Sequence, residues 1–123
     1  MTNLSLDIQN SSDRVVVGLS GELDIAEISR LRQEFDQIEA ARPPLLVLDL
    51  RGLSFIDSSG LRFVLETDVR ARKDARRLQI IPGPDAVHRV FLIALLDTRL
   101  DFVDATEVDG GGDGAQGGEG ERT

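Results

Sequence analysis

The most apolar segment of the chain lies near its centre, where Leu45 to Leu50 reads LLVLDL. This segment lacks the alternation of a strand with one wet face, so it predicts a central strand that is covered on both sides. The polar run Asp57-Ser58-Ser59-Gly60 follows shortly afterwards, and a helical pattern extends from about Ser59 to Lys73. We therefore expect two serine hydroxyls at the N-terminus of a helix that follows the central strand.

Two strands and a helix are predicted before this centre. Leu4 to Gln9 alternates apolar and polar residues, and Arg14 to Ser20 is rich in valine, which together favour an antiparallel hairpin. Gly21 is expected to end the second strand. The next helix spans about Ala26 to Ala40, with Glu27 outside its apolar stripe. That stripe consists of Ile28, Leu31, Phe35 and Ile38.

The helix after the central strand has a similar pattern. Its expected inward stripe consists of Leu61, Val64, Leu65 and Val69. Phe63 points away from this stripe on a helical wheel. A single exposed phenylalanine is common in proteins. This one lies one turn from the two serines, so contact with a partner is the alternative interpretation.

Three shorter elements are predicted after the second helix. Arg76 to Ile81 predicts a strand, which Pro82-Gly83-Pro84 ends. A third helix is expected from about Asp85 to Leu96, because proline is well suited to a helix entry. Leu100 to Val103 is compatible with a last short strand.

The third helix has a wide apolar face. Its stripe consists of Val87, Val90, Phe91, Ala94 and Leu95. Leu92, Ile93 and Leu96 widen this stripe beyond one face, which indicates either deep burial or an apolar patch for a partner. His88 is expected beside the stripe, in a structural or solvent-facing position.

The order of these elements predicts an α/β fold with a mixed sheet of four to five strands flanked by helices. From about Glu107 the sequence changes to VDGGGDGAQGGEGERT, in which glycine and acidic residues dominate. Such a segment buries too little apolar surface to offset the entropy cost of ordering. We therefore expect one domain at residues 1–106 and a disordered tail at residues 107–123.

Composition narrows the range of possible functions. The chain has no cysteine and one histidine, which excludes disulfides, thiol catalysis and a histidine-rich metal site within one chain. The formal net charge of -8 argues against binding a nucleic acid through bulk electrostatics. No apolar run reaches membrane-spanning length, and the N-terminus has no signal-peptide pattern. We expect a soluble cytoplasmic protein without a cofactor, which binds neither nucleic acid nor membrane and is not an enzyme.

The two serines form the best candidate site. The first turn of a helix leaves backbone N–H groups unpaired, and a serine or aspartate near it normally accepts from them. Ser58 or Ser59 as a cap, and Asp24 as the cap of the first helix, are therefore the simplest interpretations. The same geometry suits a phosphorylated serine, because the positive end of the helix dipole favours a phosphate. Asp57, directly beside it, adds a like-charge cost.

Three blocks together resemble the STAS domain of bacterial anti-sigma factor antagonists. They are Gly21-Glu22-Leu23-Asp24, then Leu46-Val47-Leu48-Asp49-Leu50, then Leu53 to Leu61, which reads LSFIDSSGL. The resemblance spans about residues 4 to 103, and the last block is its most specific part. It implies a STAS-like mixed sheet flanked by helices and no catalytic activity.

The resemblance also implies a role in transcription regulation by partner switching. Members of this family bind an anti-sigma factor that is also a serine kinase, and thereby release a sigma factor. The kinase phosphorylates the first serine of the pair, here Ser58, and a metal-dependent serine phosphatase of the PP2C type reverses this. The partner-binding residues that the resemblance implies are Glu22, Asp24, Asp57, Ser59, Gly60 and Leu61.

The chain departs from its relatives at two places. Ala94 stands where many relatives have glycine, and the glycine-rich tail begins where relatives usually continue into a final helix. Two rival functions remain open. One is a STAS scaffold subunit or the soluble partner of a transport system, and the other is an enzyme, which the missing cysteine and histidine disfavour.

Overall fold

The computed structural model describes residues 3–109, which form four strands and four helices. The strands are β1 (Leu4–Asn10), β2 (Val15–Leu23), β3 (Leu45–Ile56) and β4 (Arg77–Ile81). The helices are α1 (Ile25–Ala40), α2 (Ser58–Lys73), α3 (Asp85–Ile93) and α4 (Ala105–Asp109). Among these residues no helix is long and apolar enough to cross a membrane.

The sheet has the order β1-β2-β3-β4 and is mixed. β1 and β2 form the predicted antiparallel hairpin, and β3 runs parallel to both β2 and β4. The predicted mixed sheet with flanking helices is thus confirmed, with four strands. The expected fifth strand is reduced to one parallel bridge, in which the N–H of Val103 donates to Ile80 O at 2.9 Å.

The central strand β3 is covered on both faces, as predicted. Leu46, Leu48 and Leu50 belong to the main core beneath α1, α2 and α3. Val47 lies in a smaller cluster on the opposite face, where Val103 and Val108 pack against it. Both faces of the strand are therefore apolar, which explains its nearly continuous hydrophobic sequence.

Two strands are longer than expected. Gly21 does not end β2, because its φ of 106° accommodates a bulge and the strand continues to Leu23. β3 likewise continues beyond Leu50 to Ile56, which pairs with Leu23. The sheet therefore extends up to the starts of α1 and α2.

The buried face of α2 differs from the predicted one. Phe63 is buried, with 3% of its surface exposed, and contacts Phe35 of α1 edge to face at a ring distance of 5.0 Å. Leu65 is only partly buried and Val69 is exposed. The prediction that Phe63 points away from the core was wrong, because α2 packs against α1 as well as the sheet.

Two buried glutamates were also missed. Glu27, expected outside the stripe of α1, is buried because its carboxylate accepts from the N–H of Asn3 at 3.1 Å and from Arg30 at 3.1 Å. Glu39, near the end of the same helix, forms a buried ion pair with Arg76 at 2.7 Å. Burial of these carboxylates is tolerated because each has a partner.

Helix α3 ends at Ile93, three residues before the predicted end. Leu95 adopts a left-handed conformation with φ of 60°, and the N–H of Leu96 donates to Phe91 O at 2.9 Å. This is a Schellman-type ending, which is usually signalled by a glycine at the left-handed position, where this chain has Leu95. As a result Leu96 enters the core, whereas Leu92 and Ile93 are exposed, as are the stripe residues Ala94 and Leu95.

The predicted boundary of the tail at residue 107 was wrong, because α4 crosses it. Asp104 and Glu107 form a capping box: Asp104 accepts from the N–H of Thr106 at 2.9 Å, and Glu107 accepts from that of Asp104 at 3.0 Å. Val108 is buried against the sheet, and its carbonyl accepts from Arg14 at 2.9 Å. The remainder of the predicted tail, residues 110–123, lies outside the described residues.

Removing Val108 is expected to destabilise the domain. A chain truncated after Thr106 loses this buried side chain, and burial of a valine contributes about 1.5–3 kcal/mol to the free energy of unfolding. A chain truncated after Asp109 keeps Val108 and serves as the control. Urea titration of both chains measures the difference, and equal midpoints would show that α4 adds no stability.

Candidate functional site

The candidate site forms where two parallel strands end side by side. Leu23 at the end of β2 pairs with Ile56 at the end of β3. Helix α1 begins two residues after the end of β2, and α2 begins two residues after the end of β3. The starts of both helices therefore lie together at one edge of the sheet, where their positive dipole ends converge.

Asp57 connects these two helix starts. Its Oδ1 accepts from the N–H of Gly60 in α2 at 3.0 Å, and its Oδ2 accepts from the N–H of Ile25 in α1 at 3.1 Å. The N–H of Asp57 in turn donates to Leu23 O at 3.2 Å. One carboxylate thus caps α2 and fixes the start of α1.

Asp24 caps α1, as its sequence position suggested. Its Oδ1 accepts from the N–H of Ala26 at 3.1 Å. The expectation that a serine caps α2 was wrong, because Asp57 occupies the N-cap position.

Ser58 and Ser59 are the first two residues of α2. Ser58 is exposed, and Ser59 is half-buried. Because Asp57 provides the cap, the Ser58 hydroxyl is left for another role. A phosphate on this hydroxyl would lie beside the positive end of α2, where the fold tolerates negative charge.

Gly60 has a clear packing role. A Cβ at this position would lie 2.7 Å from Leu23 Cγ and 2.9 Å from Ile56 Cγ1, which is closer than side-chain atoms approach. The absence of a side chain therefore lets α2 start directly against the ends of β2 and β3. Gly60 is buried, so a direct contact with a partner through this residue stays a prediction.

The other predicted partner-binding residues lie around this point. Glu22 is exposed, whereas Asp24, Asp57 and Leu61 are half-buried. Leu61 also packs against the main core. The structure therefore brings the predicted residues to one edge of the sheet and gives them an acidic character.

Two exposed apolar residues at this edge were missed. Ile25 follows Asp24 and is 73% exposed, and Phe55 pairs with Glu22 across the strands and is 48% exposed. Apolar side chains within a polar rim are typical of protein-binding surfaces. Strand alternation could not have found Phe55, because it puts Phe55 on the face of the buried Leu53, and a register shift between the pairs Gly21–Leu53 and Glu22–Phe55 breaks that alternation.

The described residues give no sign of a metal centre. No group of three histidine, cysteine or acidic side chains among residues 3–109 has the arrangement of a metal site. The site edge instead combines an exposed hydroxyl, acidic side chains and apolar side chains. These groups are suited to contact with another protein.

Comparison with known proteins places the chain in a family. A family model described as "Mlab, STAS domain" matches residues 6–105. The chain is 36% identical over 89 residues to an anti-sigma F factor antagonist of Paenibacillus polymyxa. The aligned region covers 72% of this chain and 76% of that protein. The chain therefore belongs to the STAS domain family.

Solved structures agree with this assignment. An anti-sigma factor antagonist from Mycobacterium paratuberculosis has a TM-score of 0.73 at 25% identity, over 80% of this chain and 84% of its own. The unphosphorylated anti-sigma factor antagonist SpoIIAA of Bacillus has a TM-score of 0.71 at 22% identity, over 86% of this chain and 97% of its own. The likeness to SpoIIAA confirms the expected STAS-like fold.

Replacing Asp57 is expected to destabilise both helix starts. Asp57→Ala removes two capping bonds, each with a typical value of about 1 kcal/mol, so a loss of about 2 kcal/mol in the free energy of unfolding is expected. Asp57→Asn keeps one acceptor oxygen, so it should restore roughly half of this loss. Urea titration measures both variants. Equal stability of Asp57→Ala and the wild-type protein would contradict the bridging role.

Proposed function

We propose that this protein is an anti-sigma factor antagonist of the bacterial cytoplasm. It binds an anti-sigma factor that is also a serine kinase, and this binding releases a sigma factor. Phosphorylation of Ser58 by that kinase breaks the complex, and a PP2C-type serine phosphatase restores the unmodified protein. The protein itself acts by binding and not by catalysis.

The observation that carries this proposal is the position of Ser58. The residue is exposed at the first position of α2, and Asp57 satisfies the cap of that helix. A kinase can therefore reach the hydroxyl without breaking a hydrogen bond on which the helix start depends. The names of the relatives from Paenibacillus polymyxa and Mycobacterium paratuberculosis support the same function.

The surface around Ser58 supports a protein partner. Glu22, Asp24 and Asp57 make it acidic, and Ile25 and Phe55 add exposed apolar area. A partner that docks there needs complementary positive charge and an apolar contact. A phosphate at the centre of this surface raises its negative charge by nearly two units at neutral pH.

Binding to a candidate anti-sigma factor tests the proposal. The candidate is a histidine-kinase-like ATPase encoded beside a sigma factor gene in the same genome, titrated with the unmodified protein in the presence of ADP. We expect a saturable complex that excludes the sigma factor. Failure of the protein to bind, or binding without release of the sigma factor, would refute the proposed function.

A second candidate function is a STAS subunit in another role, such as a scaffold or the soluble partner of a transport system. The matching family model supports it, since its description names Mlab alongside the STAS domain. Gene neighbourhood separates the two: an adjacent ATPase and sigma factor support the first function, and lipid-transport genes support the second.

Asp24→Asn is expected to weaken partner binding without weakening the fold. Asparagine caps a helix about as well as aspartate, so the free energy of unfolding should stay within about 0.5 kcal/mol of the wild type. The variant removes one negative charge from the partner surface. Calorimetric titration with the anti-sigma factor measures the affinity, and equal affinity for both proteins would leave Asp24 as a cap alone.

A further inference from the structure

The outer face of α2 carries a groove that begins one helical turn beyond Ser58. The groove has a volume of about 580 Å³ and extends along the helix from Arg62 to Lys73. At the helical rise of 1.5 Å per residue this is a length of ~17 Å. Leu65 and Val69 are its apolar lining residues, and Arg99, from the segment after α3, lines it as well.

The charges that line the groove are unbalanced. Its acidic residues are already paired: Glu66 contacts Arg32 at 2.7 Å, and Asp74 contacts Arg76 at 3.2 Å.

Three cations of the groove, in contrast, are exposed. Within residues 3–109, the side chains of Arg62, Lys73 and Arg99 form no ion pair. The remaining cation, Arg70, is held by Asp36 at 2.9 Å. The groove is therefore locally basic on a chain with a net charge of -8.

This contrast indicates the kind of partner that fits. A local basic patch attracts an acidic ligand. Nucleic acids and anionic membranes are extended, so they would also meet the negative charge of the rest of the chain. A short acidic segment that stays within the groove avoids this repulsion.

The apolar lining adds a geometric requirement. Leu65 and Val69 are four residues apart on one face of α2, so their side chains are neighbours along the helix. Val69 is 38% exposed, so apolar area is available for contact. An amphipathic helix with apolar residues at the same spacing can lie along α2 and match it.

We propose that this groove, lined by Leu65, Val69, Arg62, Lys73 and Arg99, is a second docking surface, and that it binds an acidic amphipathic helix of a partner protein. The surface begins one residue beyond Leu61 and extends away from Ser58 towards the end of α2. Arg62 lies one turn from Ser58 on the same face of α2, so a helix that docks along the whole groove also approaches the Ser58 edge. The proposal does not depend on the identity of the partner at the Ser58 edge.

Peptide binding to the full chain tests this proposal. The probe is a fluorescent 16-residue synthetic peptide with leucine at helical spacing and glutamate elsewhere, compared with a scrambled peptide of the same composition. Fluorescence anisotropy measures the affinity, and vesicles containing phosphatidylserine form a third arm. We expect the amphipathic peptide to bind more tightly than the scrambled peptide and the vesicles not to bind.

Charge reversals locate the binding surface. Lys73→Glu and Arg99→Glu each turn an attraction into a repulsion. Each variant should therefore bind the amphipathic peptide at least about fivefold more weakly than the wild-type protein. Arg89→Glu, at an exposed position of α3 outside the groove, changes the net charge equally and serves as the matched control. Circular dichroism melts confirm that all three variants remain folded.

Several outcomes would overturn the proposal. These are no binding of the amphipathic peptide at millimolar concentration, equal binding of the scrambled peptide, equal weakening by Arg89→Glu, and binding of the vesicles alone. Each of them leaves the proposed role of Ser58 untouched, so the two proposals fail separately.

Discussion

Ser58→Asp is expected to bind the anti-sigma factor at least about a hundredfold more weakly than the wild-type protein while keeping a native melting temperature. The reason for the loss is charge. Under the proposed function the partner kinase brings its own nucleotide phosphates to this hydroxyl, so the new carboxylate faces negative charge, and like charges brought together in an interface cost several kcal/mol. A hundredfold loss corresponds to about 2.7 kcal/mol.

The fold should tolerate this change, because position 58 begins α2 and an acidic side chain in the first turn interacts favourably with the helix dipole. Ser58→Ala should bind as tightly as the wild-type protein. Ser12→Asp is the matched control, since it adds the same charge in the turn between β1 and β2, away from the edge where β2 and β3 end.

Calorimetric titration with the anti-sigma factor measures all of these affinities. Equal weakening by Ser12→Asp would mean that net charge and not position matters. Unaltered binding of Ser58→Asp would remove Ser58 from the interface.

Phe63→Ala is expected to cost about 3–5 kcal/mol in the free energy of unfolding, and Leu48→Ala about 2–5 kcal/mol. Phe63 is buried between α1 and α2, and Leu48 is fully buried in the central strand. Truncation of either side chain leaves a cavity that the surrounding structure fills only partly.

Leu65→Ala is the matched comparison on the same helix. Leu65 is partly buried and faces the groove, so its truncation should cost only about 1–2 kcal/mol. Denaturant titration measures the three variants. A larger loss for Leu65→Ala than for Phe63→Ala would mean that α2 buries the face predicted from its sequence and not the face observed here.

The sequence predicted the centre of the fold well because several signals there agree. Leu45 to Leu50 is apolar on both faces, and both faces are covered in the structure. The hairpin, the first two helices and the entry of α3 at Pro84 were found from equally direct patterns.

The orientation of α2 was wrong because its environment is not a single surface. A helical stripe identifies one buried direction, whereas α2 contacts both the sheet and α1. The buried arc therefore shifts towards Phe63, and Leu65 and Val69 move outwards. Hydrophobicity alone could not place this arc, since buried Thr67 and Asp68 belong to it.

The end of α3 and the presence of α4 were missed for opposite reasons. Leu95 adopts a left-handed conformation without the glycine that normally signals it, so the helix pattern was extended too far. For α4 the local signal was present, since Asp104 and Glu107 have the spacing of a capping box, but the glycine-rich composition that follows outweighed it.

The structure brings the residues of the candidate site to one edge of the sheet, but the cap of α2 was assigned to the wrong residue. Aspartate and serine are equally good caps and stand side by side at Asp57 and Ser58, so the sequence could not decide between them. The second contact of Asp57, with the N–H of Ile25, depends on the pairing of β2 with β3 and has no local signal.

The most direct test of the central claim is to identify the residue that the kinase modifies. The unmodified protein is incubated with the cognate anti-sigma factor and ATP, and intact mass and peptide mapping locate the phosphate. Ser59→Ala and Ser58→Ala are treated in the same way. One phosphate on Ser58 in the wild-type protein and in Ser59→Ala, and none on Ser58→Ala, is the predicted result. Phosphate on Ser59 alone, or full modification of Ser58→Ala, would contradict it.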